Sequence, residues 1–376
     1  MRKNICELCS SISDTYKGNA EKVVLINTSD VYDGKCTNHT LVENKQLRGQ
    51  FKKTFKPNDI LYSEIRPANR RFAYIDFDTK NYIASTKLMV LRAKEGVSPK
   101  YLYQILRGNS TINALQLLAE SRSGTFPQIT FSELSNIEVN IPSEDVQNMV
   151  VSILSSLDAK IETNNKLNEK LEEMAQAIFK SWFVDFEPFK DQPFHETEIG
   201  YIPQIFESGV LGDLCTFKRG KGLLSKDAIQ GDVPVIAGGM KPACYHNVAN
   251  TKAPVVTVSG SGANAGYTQI HNVDVWASDC SFIDSNCENL YYAYCFLSRR
   301  PKLLKHSQTG AAQPHVKPAD IHRFQVVIPT KEIINEFQEI VKPLFDRIGM
   351  NKKENDRLAS LRDTLLPRLM SGEIKI

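Results

Sequence analysis

Several kinds of motif are missing from this 376-residue sequence, and each absence excludes a class of function. The chain has no Pro-Pro dipeptide, so it lacks the Asn-Pro-Pro-Tyr loop of amino-group methylation, and it has no GxxxxGK[ST] phosphate loop. No apolar stretch of signal-peptide type opens the chain, and no run is long enough to cross a bilayer. We therefore expect a cytoplasmic protein without a cofactor, and the missing motifs disfavour an enzyme that acts on nucleic acid.

The eight cysteines give little sign of a metal site. Cys6 and Cys9 have the CxxC spacing of a zinc knuckle or a redox pair, but no second CxxC exists to complete a four-thiolate site. Cytosolic proteins usually keep their thiols free. The pattern favours no metal and small thiols in a buried strand or turn.

What the chain does contain is an internal repeat at an offset of 187 residues. The stretch from Pro127 to Leu171 aligns without a gap on the stretch from Pro314 to Leu358. A period of this length is too long for a solenoid and indicates two copies of one domain-sized module. We expect two similar surfaces related by approximate two-fold symmetry.

Charge is unevenly distributed, although the formal net charge is only +3. Residues 1–142 carry a net +6 and residues 205–330 a net +3, whereas residues 143–204 between them carry −7. The pattern favours two anion-facing lobes on a neutral-to-acidic spacer.

Both basic segments have the composition and turn residues of mixed α/β modules. Strands are predicted at 22–27, 60–65, 72–75, 88–91 and 137–141 in the first segment, and at 233–236, 255–259, 266–270, 275–276 and 324–328 in the second. Helices are predicted at 98–107, 110–119 and 289–298, with the run from Tyr101 resembling the run from Tyr291. Because the modules diverge between these elements, partner-specific contacts are expected in their loops.

Two long helices are predicted, one over residues 144–183 and one beginning near residue 331. In each, seam residues recur at alternating spacings of four and three, which is the heptad pattern of a coiled coil. The seams are Val150, Leu154, Leu157, Ile161, Asn164, Asn168, Leu171, Ala175, Ile178 and Trp182, and Phe337, Val341, Leu344, Ile348, Asn351, Asn355, Leu358, Arg362, Leu365 and Leu369. Each helix would be roughly 55 Å long at 1.5 Å per residue. Pro367 predicts an end or kink near Leu366.

Asparagines occupy the same two places in both seams. An antiparallel helix pair sets Asn164 against Asn355 and Asn168 against Asn351. A slip by one heptad would place an amide against Leu or Ile, at a cost of about 1–3 kcal/mol. The asparagines therefore specify register. The alternative is that the helices belong to separate bundles and expose these amides.

Two runs resemble specificity (S) subunits of type I restriction–modification enzymes. Residues 171–189, from Leu-Glu-Glu-Met to Glu-Pro-Phe, look like the central shared region of that family, and residues 361–374 resemble its distal shared region. Residues 124–129 and 310–316 are similar to the motif near the end of each target-recognition domain. The resemblance covers the whole chain in architecture but is weak inside the two basic modules.

The resemblance implies a mixed α/β fold of two similar globular target-recognition domains, separated by two long helices that form an antiparallel, pseudo-two-fold symmetric coiled coil. The expected segments are recognition domain 1 (1–142), a central helical spacer (143–186), recognition domain 2 (187–330) and a distal helical spacer (331–376). Members of the family are non-catalytic readers of a bipartite, asymmetric site in double-stranded DNA, and they scaffold two methylation subunits and restriction subunits. The alternative is a coiled-coil adaptor that binds other proteins through its two lobes.

The candidate DNA contacts are mostly basic and amide side chains grouped in loops. Arginine and asparagine suit bidentate contacts with guanine and adenine edges, and lysine neutralises phosphates. The candidates in the first module are Lys52, Lys53, Lys56, Arg66, Asn69, Arg70, Arg71 and Arg122. Those in the second are Lys218, Arg219, Lys221, Ser259, Ser261, Asn264, Gln313 and His315. Arg122, Gln128, Gln313 and His315, in the closing motifs, serve DNA or brace the module against its helix.

The glycine-rich run 260–266 is not a dinucleotide site, because its spacing is not GxGxxG and a strand is predicted after it. It remains either a flexible DNA-facing loop or a plain hairpin turn. The acidic helical segment is not expected to touch DNA. The aromatic cluster of Trp182, Phe183, Phe186 and Phe189 is interpreted as a hinge that packs into the second module, with a partner surface as the alternative.

Overall fold

The computed structural model describes residues 2–45, 49–122, 127–299 and 315–374, without the side chains of Arg122 and Ala263. The chain divides into two compact units. Unit 1 comprises Met1–Ile161 and Asp356–Ile376, and unit 2 comprises Glu162–Asn355. Each unit therefore combines one α/β lobe with parts of both long helices. The four-segment division drawn from the sequence stays a prediction.

Unit 1 contains two four-stranded sheets. The first, in hydrogen-bonded order and antiparallel throughout, is Cys9–Ile12, Leu88–Ala93, Ile60–Ser63 and Phe72–Tyr74. The second is Leu41–Glu43, Lys22–Ile26, Tyr82–Ser85 and Phe51–Lys53, in which only the middle pair is parallel. Two further strand pairs are Arg2–Asn4 with Glu138–Asn140 and Val31–Tyr32 with Lys35–Cys36. The lobe helices are Ile5–Leu8, Pro99–Arg107, Asn109–Arg122 and Phe131–Ser135, with single 3₁₀ turns at Thr28–Asp30 and Pro67–Asn69.

Unit 2 has the same kinds of element. Its first sheet, antiparallel throughout, is Lys218–Arg219, Cys280–Ile283, Val255–Ser259 and Thr268–His271. Its second is Cys244–His246, Val233–Ile236 and Trp276–Ala277, with the last pair parallel. Two further pairs are Glu207–Val210 with Gln325–Ile328 and Phe194–Thr197 with Gly200–Pro203. The lobe helices are Leu211–Leu214, Leu290–Ser298 and Pro318–His322, with 3₁₀ turns at Glu187–Phe189, Ser225–Asp227 and Gly262–Asn264.

The two lobes repeat one topology. In each, the first strand of the repeat pairs antiparallel with the strand that precedes a long helix, and a four-residue helix follows that first strand. The four-stranded sheets then correspond strand for strand, and each second sheet holds one parallel pair. The prediction of two similar mixed α/β domains is confirmed.

A buried tyrosine fastens the same helix to the same strand in both lobes. The hydroxyl of Tyr101 donates to the Asn140 carbonyl at 3.2 Å, and that of Tyr292 donates to the Val327 carbonyl at 2.6 Å. Tyr101 therefore corresponds to Tyr292. The sequence comparison had matched the run from Tyr101 with the run from Tyr291, one residue earlier. The interval from tyrosine to carbonyl is 39 residues in unit 1 and 35 in unit 2, so the 187-residue offset fails at this helix.

One inner strand of each first sheet lies entirely in the core. Ile60–Ser63 and Val255–Ser259 are buried at every position. A strand covered on both faces reads as a continuous apolar run and loses the alternation of a half-exposed strand. Both were predicted from such runs, whereas Cys280–Ile283, which contains the buried Ser281, was missed.

Two long helices extend through both units. The central helix is Glu144–Phe183 and the distal helix is Lys331–Ser371. Pro367 does not end the distal helix, so the expected end near Leu366 is wrong, and Leu369 lies within the helix. Leu366 and Leu369 on either side of the proline are buried in the unit 1 core. Their packing offsets the backbone hydrogen bond that proline cannot donate. No helix in the described ranges has both the length and the apolar character that a bilayer crossing needs.

Within unit 2 the two helices run antiparallel, and their asparagines pair. The Asn164 side-chain amide donates to Asn355 at 2.8 Å and to Glu354 at 2.8 Å, while Asn351 donates to Asn168 at 2.8 Å. Asn164 and Asn351 are each 1% exposed, which argues against separate bundles with solvated amides. Amides so enclosed are satisfied only in this register.

Within unit 1 the two long helices are joined by a buried ion pair between charged side chains. Asp158 on the central helix accepts from Arg107 at 2.6 Å and from Arg362 on the distal helix at 2.8 Å. Arg107 and Arg362 are 7% and 9% exposed. A charge-assisted pair at this depth is costly to break, because it leaves an uncompensated buried guanidinium.

The aromatic cluster packs into the core of unit 2. The ring centroids of Phe183 and Phe337 lie 5.1 Å apart, and those of Phe189 and Phe206 lie 4.9 Å apart. Trp182 lies 6.2 Å from Phe337. These contacts favour the interpretation that the cluster joins the end of the central helix to the second lobe.

We predict that Asn164→Leu lowers the free energy of unfolding by about 2 kcal/mol, because Asn355 loses a buried partner and the Glu354 carboxylate loses a donor. Urea denaturation of the chain measures this. Lys166→Ala is the matched control on the same helix, since its side chain is 72% exposed and its ion pair is worth at most a few tenths of a kcal/mol. A leucine variant as stable as the control would contradict the role of Asn164 in register.

Candidate nucleic-acid interface

Each lobe carries a loop at the same place in its first sheet. Loop 1, residues 64–71, joins the antiparallel strands Ile60–Ser63 and Phe72–Tyr74. Loop 2, residues 260–267, joins Val255–Ser259 and Thr268–His271. The glycine-rich run is therefore a hairpin connection. By topology it corresponds to loop 1, the arginine-rich loop of the first module.

Each loop is joined to the closing segment of its lobe. In unit 1, Ile65 and Gln128 form an isolated antiparallel bridge, and the Arg66 amide donates to the Pro127 carbonyl at 3.1 Å. In unit 2, Ser261 and His315 form the same kind of bridge. The described parts of the closing motifs, residues 127–129 and 315–316, therefore lie beside the loops, which brings Gln128 and His315 to the candidate surface.

The three arginines of loop 1 do not act as one group. Arg66 is exposed and its backbone lies in the left-handed region, with φ of 44°. Arg70 is half-buried and donates to Asp33 and Asn109. Arg71 donates to the Ser29 carbonyl at 2.9 Å, and its guanidinium lies 5.8 Å from the centre of the Tyr32 ring. Of the side chains predicted in this loop, Arg66 and Asn69 are the exposed ones.

The predicted lysines of unit 1 also separate into two kinds. Lys52 and Lys56 are exposed. Lys53 is half-buried and donates to the Leu88 carbonyl at 2.8 Å, and burial lowers the pKa of its ammonium group. A lysine held to a backbone carbonyl in this way is a poor phosphate ligand, so Lys53 is assigned to the framework.

Lys87 is a candidate that sequence reasoning missed. It is exposed and donates to Gln128 at 3.1 Å, with the Glu64 carboxylate 3.7 Å away. Because 41 residues separate Lys87 from Gln128, no local sequence pattern indicates that they meet.

In unit 2 the basic side chains lie on and just after the edge strand Lys218–Arg219, which pairs with Cys280–Ile283. Lys218 and Lys221 are exposed, and the Lys221 ammonium lies 6.0 Å from the centre of the Trp276 ring. Arg219 donates to Asp279, and the Ser261 hydroxyl donates to the same carboxylate. Asp279 thus holds two of the predicted DNA contacts in place.

Four of the other predicted contacts need comment. Ser259 is 4% exposed and its hydroxyl donates to the Gly238 carbonyl at 3.1 Å, so it supports the loop from within, and its contact with DNA stays a prediction. Asn264 is half-buried. Gln313 and the side chain of Arg122 lie outside the described residues.

Cys6 and Cys9 differ in their exposure to solvent. Cys6 is exposed, whereas Cys9 is buried and its thiol lies 3.6 Å from the Ile5 carbonyl. Burial raises the pKa of the Cys9 thiol to about 12, which keeps it protonated and a poor metal ligand at neutral pH. Among the residues that the structure describes, no group of three or more His, Cys, Asp or Glu is placed to hold a metal ion.

The exposed cations, amides and imidazole beside the two loops can bind a polyanion and donate hydrogen bonds to base edges. A family model described as the type I restriction modification DNA specificity domain matches residues 3–173 and 203–360. The chain belongs to this family.

Individual relatives agree with that assignment. The specificity subunit of the type I restriction enzyme HindI from Haemophilus influenzae is 31% identical, over 98% of both chains. The MjaIX specificity subunit from Methanocaldococcus jannaschii is 30% identical over 75% of this chain and 71% of its own. Among solved structures, the S subunit from M. genitalium aligns over 98% of this chain and 96% of its own with a TM-score of 0.53; at 19% identity, this likeness concerns the fold alone.

We predict that Gly220→Ala destabilises unit 2 by about 1–3 kcal/mol. A Cβ at this position would lie 2.7 Å from the Ala277 carbonyl oxygen and closer still to that of Ser278, and backbone atoms have little freedom to retreat. Thermal unfolding measures the effect. Gly222→Ala is the matched control two residues away, because a Cβ there meets nothing within 4 Å. Equal midpoints of thermal unfolding for the two variants would contradict the close packing of Gly220, which follows the strand Lys218–Arg219.

Proposed function

We propose that this chain is the DNA specificity subunit of a type I restriction–modification system. In this role it reads a bipartite site in double-stranded DNA and holds methylation and restriction subunits on the DNA. It acts as a non-catalytic subunit, with the chemistry supplied by its partners. Because its substrate would be the DNA of the cell, we propose that it works in the cytoplasm.

The observation that carries this proposal is the repeated loop beside a closing segment. Both lobes present the loop at the same place in one topology, but the side chains differ: loop 1 has Arg66 and Asn69, and loop 2 has glycines with Asn264. One framework with two sets of donors suits two different half-sites, and therefore an asymmetric site.

The proposed contacts are exposed or partly exposed polar side chains of the two lobes, on the loops and elsewhere. In unit 1 they are Lys52, Lys56, Arg66, Asn69, Lys87 and Gln128, and in unit 2 they are Lys218, Lys221, Asn264 and His315. The lysines are assigned to phosphates, because a single ammonium carries little base information. Arg66 and the amide side chains are assigned to base edges.

An adaptor that binds other proteins through its lobes is the second candidate. The exposed cations near both loops favour DNA, since a polyanion is bound by releasing its counterions. A methyltransferase complex assembled with this chain separates the two functions. Specific binding that falls steeply with salt supports the DNA reader, and weak, salt-independent binding supports the adaptor.

We predict that exchanging residues 1–142 for the corresponding module of another family member changes one half of the methylated site and leaves the other half unchanged. The reason is that each lobe has its own loop and its own core. Mapping of methylated bases in cells that carry the hybrid subunit measures the result. A change in both halves, or a continuous palindromic target for the parent protein, would refute independent reading.

We predict that the long helices set the gap between the half-sites. Four residues added after Thr163 alone would lengthen one helix and not its partner. A matched pair of insertions, after Thr163 and after Asn355, keeps both helices equal where the chain passes between the units. Four residues add about 6 Å, or roughly two base pairs of duplex length. Methylation mapping should show a longer gap and unchanged half-sites, and altered half-sites would contradict the spacer role.

A further inference from the structure

The guanidinium of Arg70, at the end of loop 1, is hydrogen-bonded to other groups of the protein. Its Nε donates to Asp33 at 2.9 Å, its Nη1 donates to the Asn109 side-chain oxygen at 3.0 Å, and its Nη2 lies 3.5 Å from the Arg107 carbonyl oxygen. Its backbone is left-handed, with φ of 54°, a conformation that a non-glycine residue keeps only when its surroundings hold it. Side-chain and backbone constraints together fix the end of the loop.

Asn109 carries the contact from the loop to the distal helix. Its side-chain oxygen accepts from Arg70, and its nitrogen donates to Asp363 at 2.8 Å. An amide that must accept on one side and donate on the other has a single satisfactory orientation, because a flip would place donor against donor and oxygen against carboxylate. The link between loop and helix is therefore directional.

The far end of this chain of contacts lies between the two long helices. The other oxygen of Asp363 accepts from Arg362 at 3.0 Å, and Arg362 in turn donates to Asp158 on the central helix. Asp158 also accepts from Arg107, whose carbonyl lies near Arg70. These polar contacts form one continuous network that links loop 1 to both long helices, entirely within unit 1.

Loop 2 is held in a different way. Its Ser261 hydroxyl and the neighbouring Arg219 guanidinium both donate to Asp279, a residue of the same sheet region. The contacts described for these two side chains remain within the lobe. Loop 1 has a polar connection to the distal helix, whereas the described anchor of loop 2 is local.

We propose that Arg70 is a positioning residue that couples loop 1 to the distal helix through Asn109 and Asp363, and does not itself read DNA. The conformation of the helix pair at Asp363 is thereby transmitted to the loop that reads one half-site. The DNA part of this inference rests on the proposed function, whereas the mechanical link between helix and loop does not.

The link is tested by amide hydrogen exchange on the full chain without DNA. Asp363→Ala removes the acceptor for Asn109 while keeping a good helix former, and it should speed exchange in residues 66–71 at least threefold. Exchange in residues 260–267 should stay unchanged. Asp363→Asn, which retains an oxygen for Asn109, should recover most of the protection. Asp356→Ala is the control, since it removes an exposed carboxylate from the same helix.

The consequence for DNA is tested on the complex assembled with its methylation subunits. Arg70→Ala should weaken binding about tenfold, in the range of coupling between sites, without changing the slope of log affinity against log salt. Lys52→Ala, an exposed candidate for a phosphate contact, should lower that slope by about one. Asp363→Ala should weaken binding to duplexes with an intact unit 1 half-site. It should leave binding unchanged for duplexes in which that half-site is altered.

The outcomes separate the ideas. A lower salt slope for Arg70→Ala would make Arg70 a phosphate contact and overturn its positioning role. Unchanged exchange in residues 66–71 for Asp363→Ala would overturn the link to the helix. A wild-type complex without sequence-specific binding would overturn the proposed function, whereas the exchange experiment would still decide the mechanical link.

Discussion

Two amide pairs enclosed between the long helices are the constraint on which the rest of the structure depends. Asn164 with Asn355 and Asn168 with Asn351 are satisfied in only one antiparallel register. That register brings aromatic side chains together in unit 2 and sets Asp158 against Arg362 in unit 1. The segment of helix pair in each unit then supplies the surface on which an α/β lobe completes its core.

The sequence predicted the framework well, because repeated apolar patterns and paired asparagines are local signals. It was less accurate for contacts made by tertiary structure. Lys87 meets Gln128 only after the sheet has formed, and Ser259 is turned inward by the strand that contains it. The continuation of the distal helix through Pro367 depends on packing around Leu366 and Leu369, which propensity alone does not include.

The sequence indicated which basic side chains are candidates for DNA contact but not which of them already bind acceptors within the protein. A run of basic residues indicates affinity for an anion, and it does not show which side chains are already committed to protein partners. Arg70, Arg71 and Arg219 each have an acceptor within the fold. Arginine has several donors in a planar fork, so it can serve as a brace as readily as a reader, and only the three-dimensional contacts distinguish the two.

The tyrosines that fasten each lobe to its final strand have a consequence for how such proteins diversify. Tyr101 and Tyr292 donate to main-chain carbonyls, and the residues that own those carbonyls are as different as Asn140 and Val327. A fastening that recognises the backbone places no demand on the neighbouring side chain. Each lobe can therefore accumulate substitutions near its closing strand without losing its anchorage.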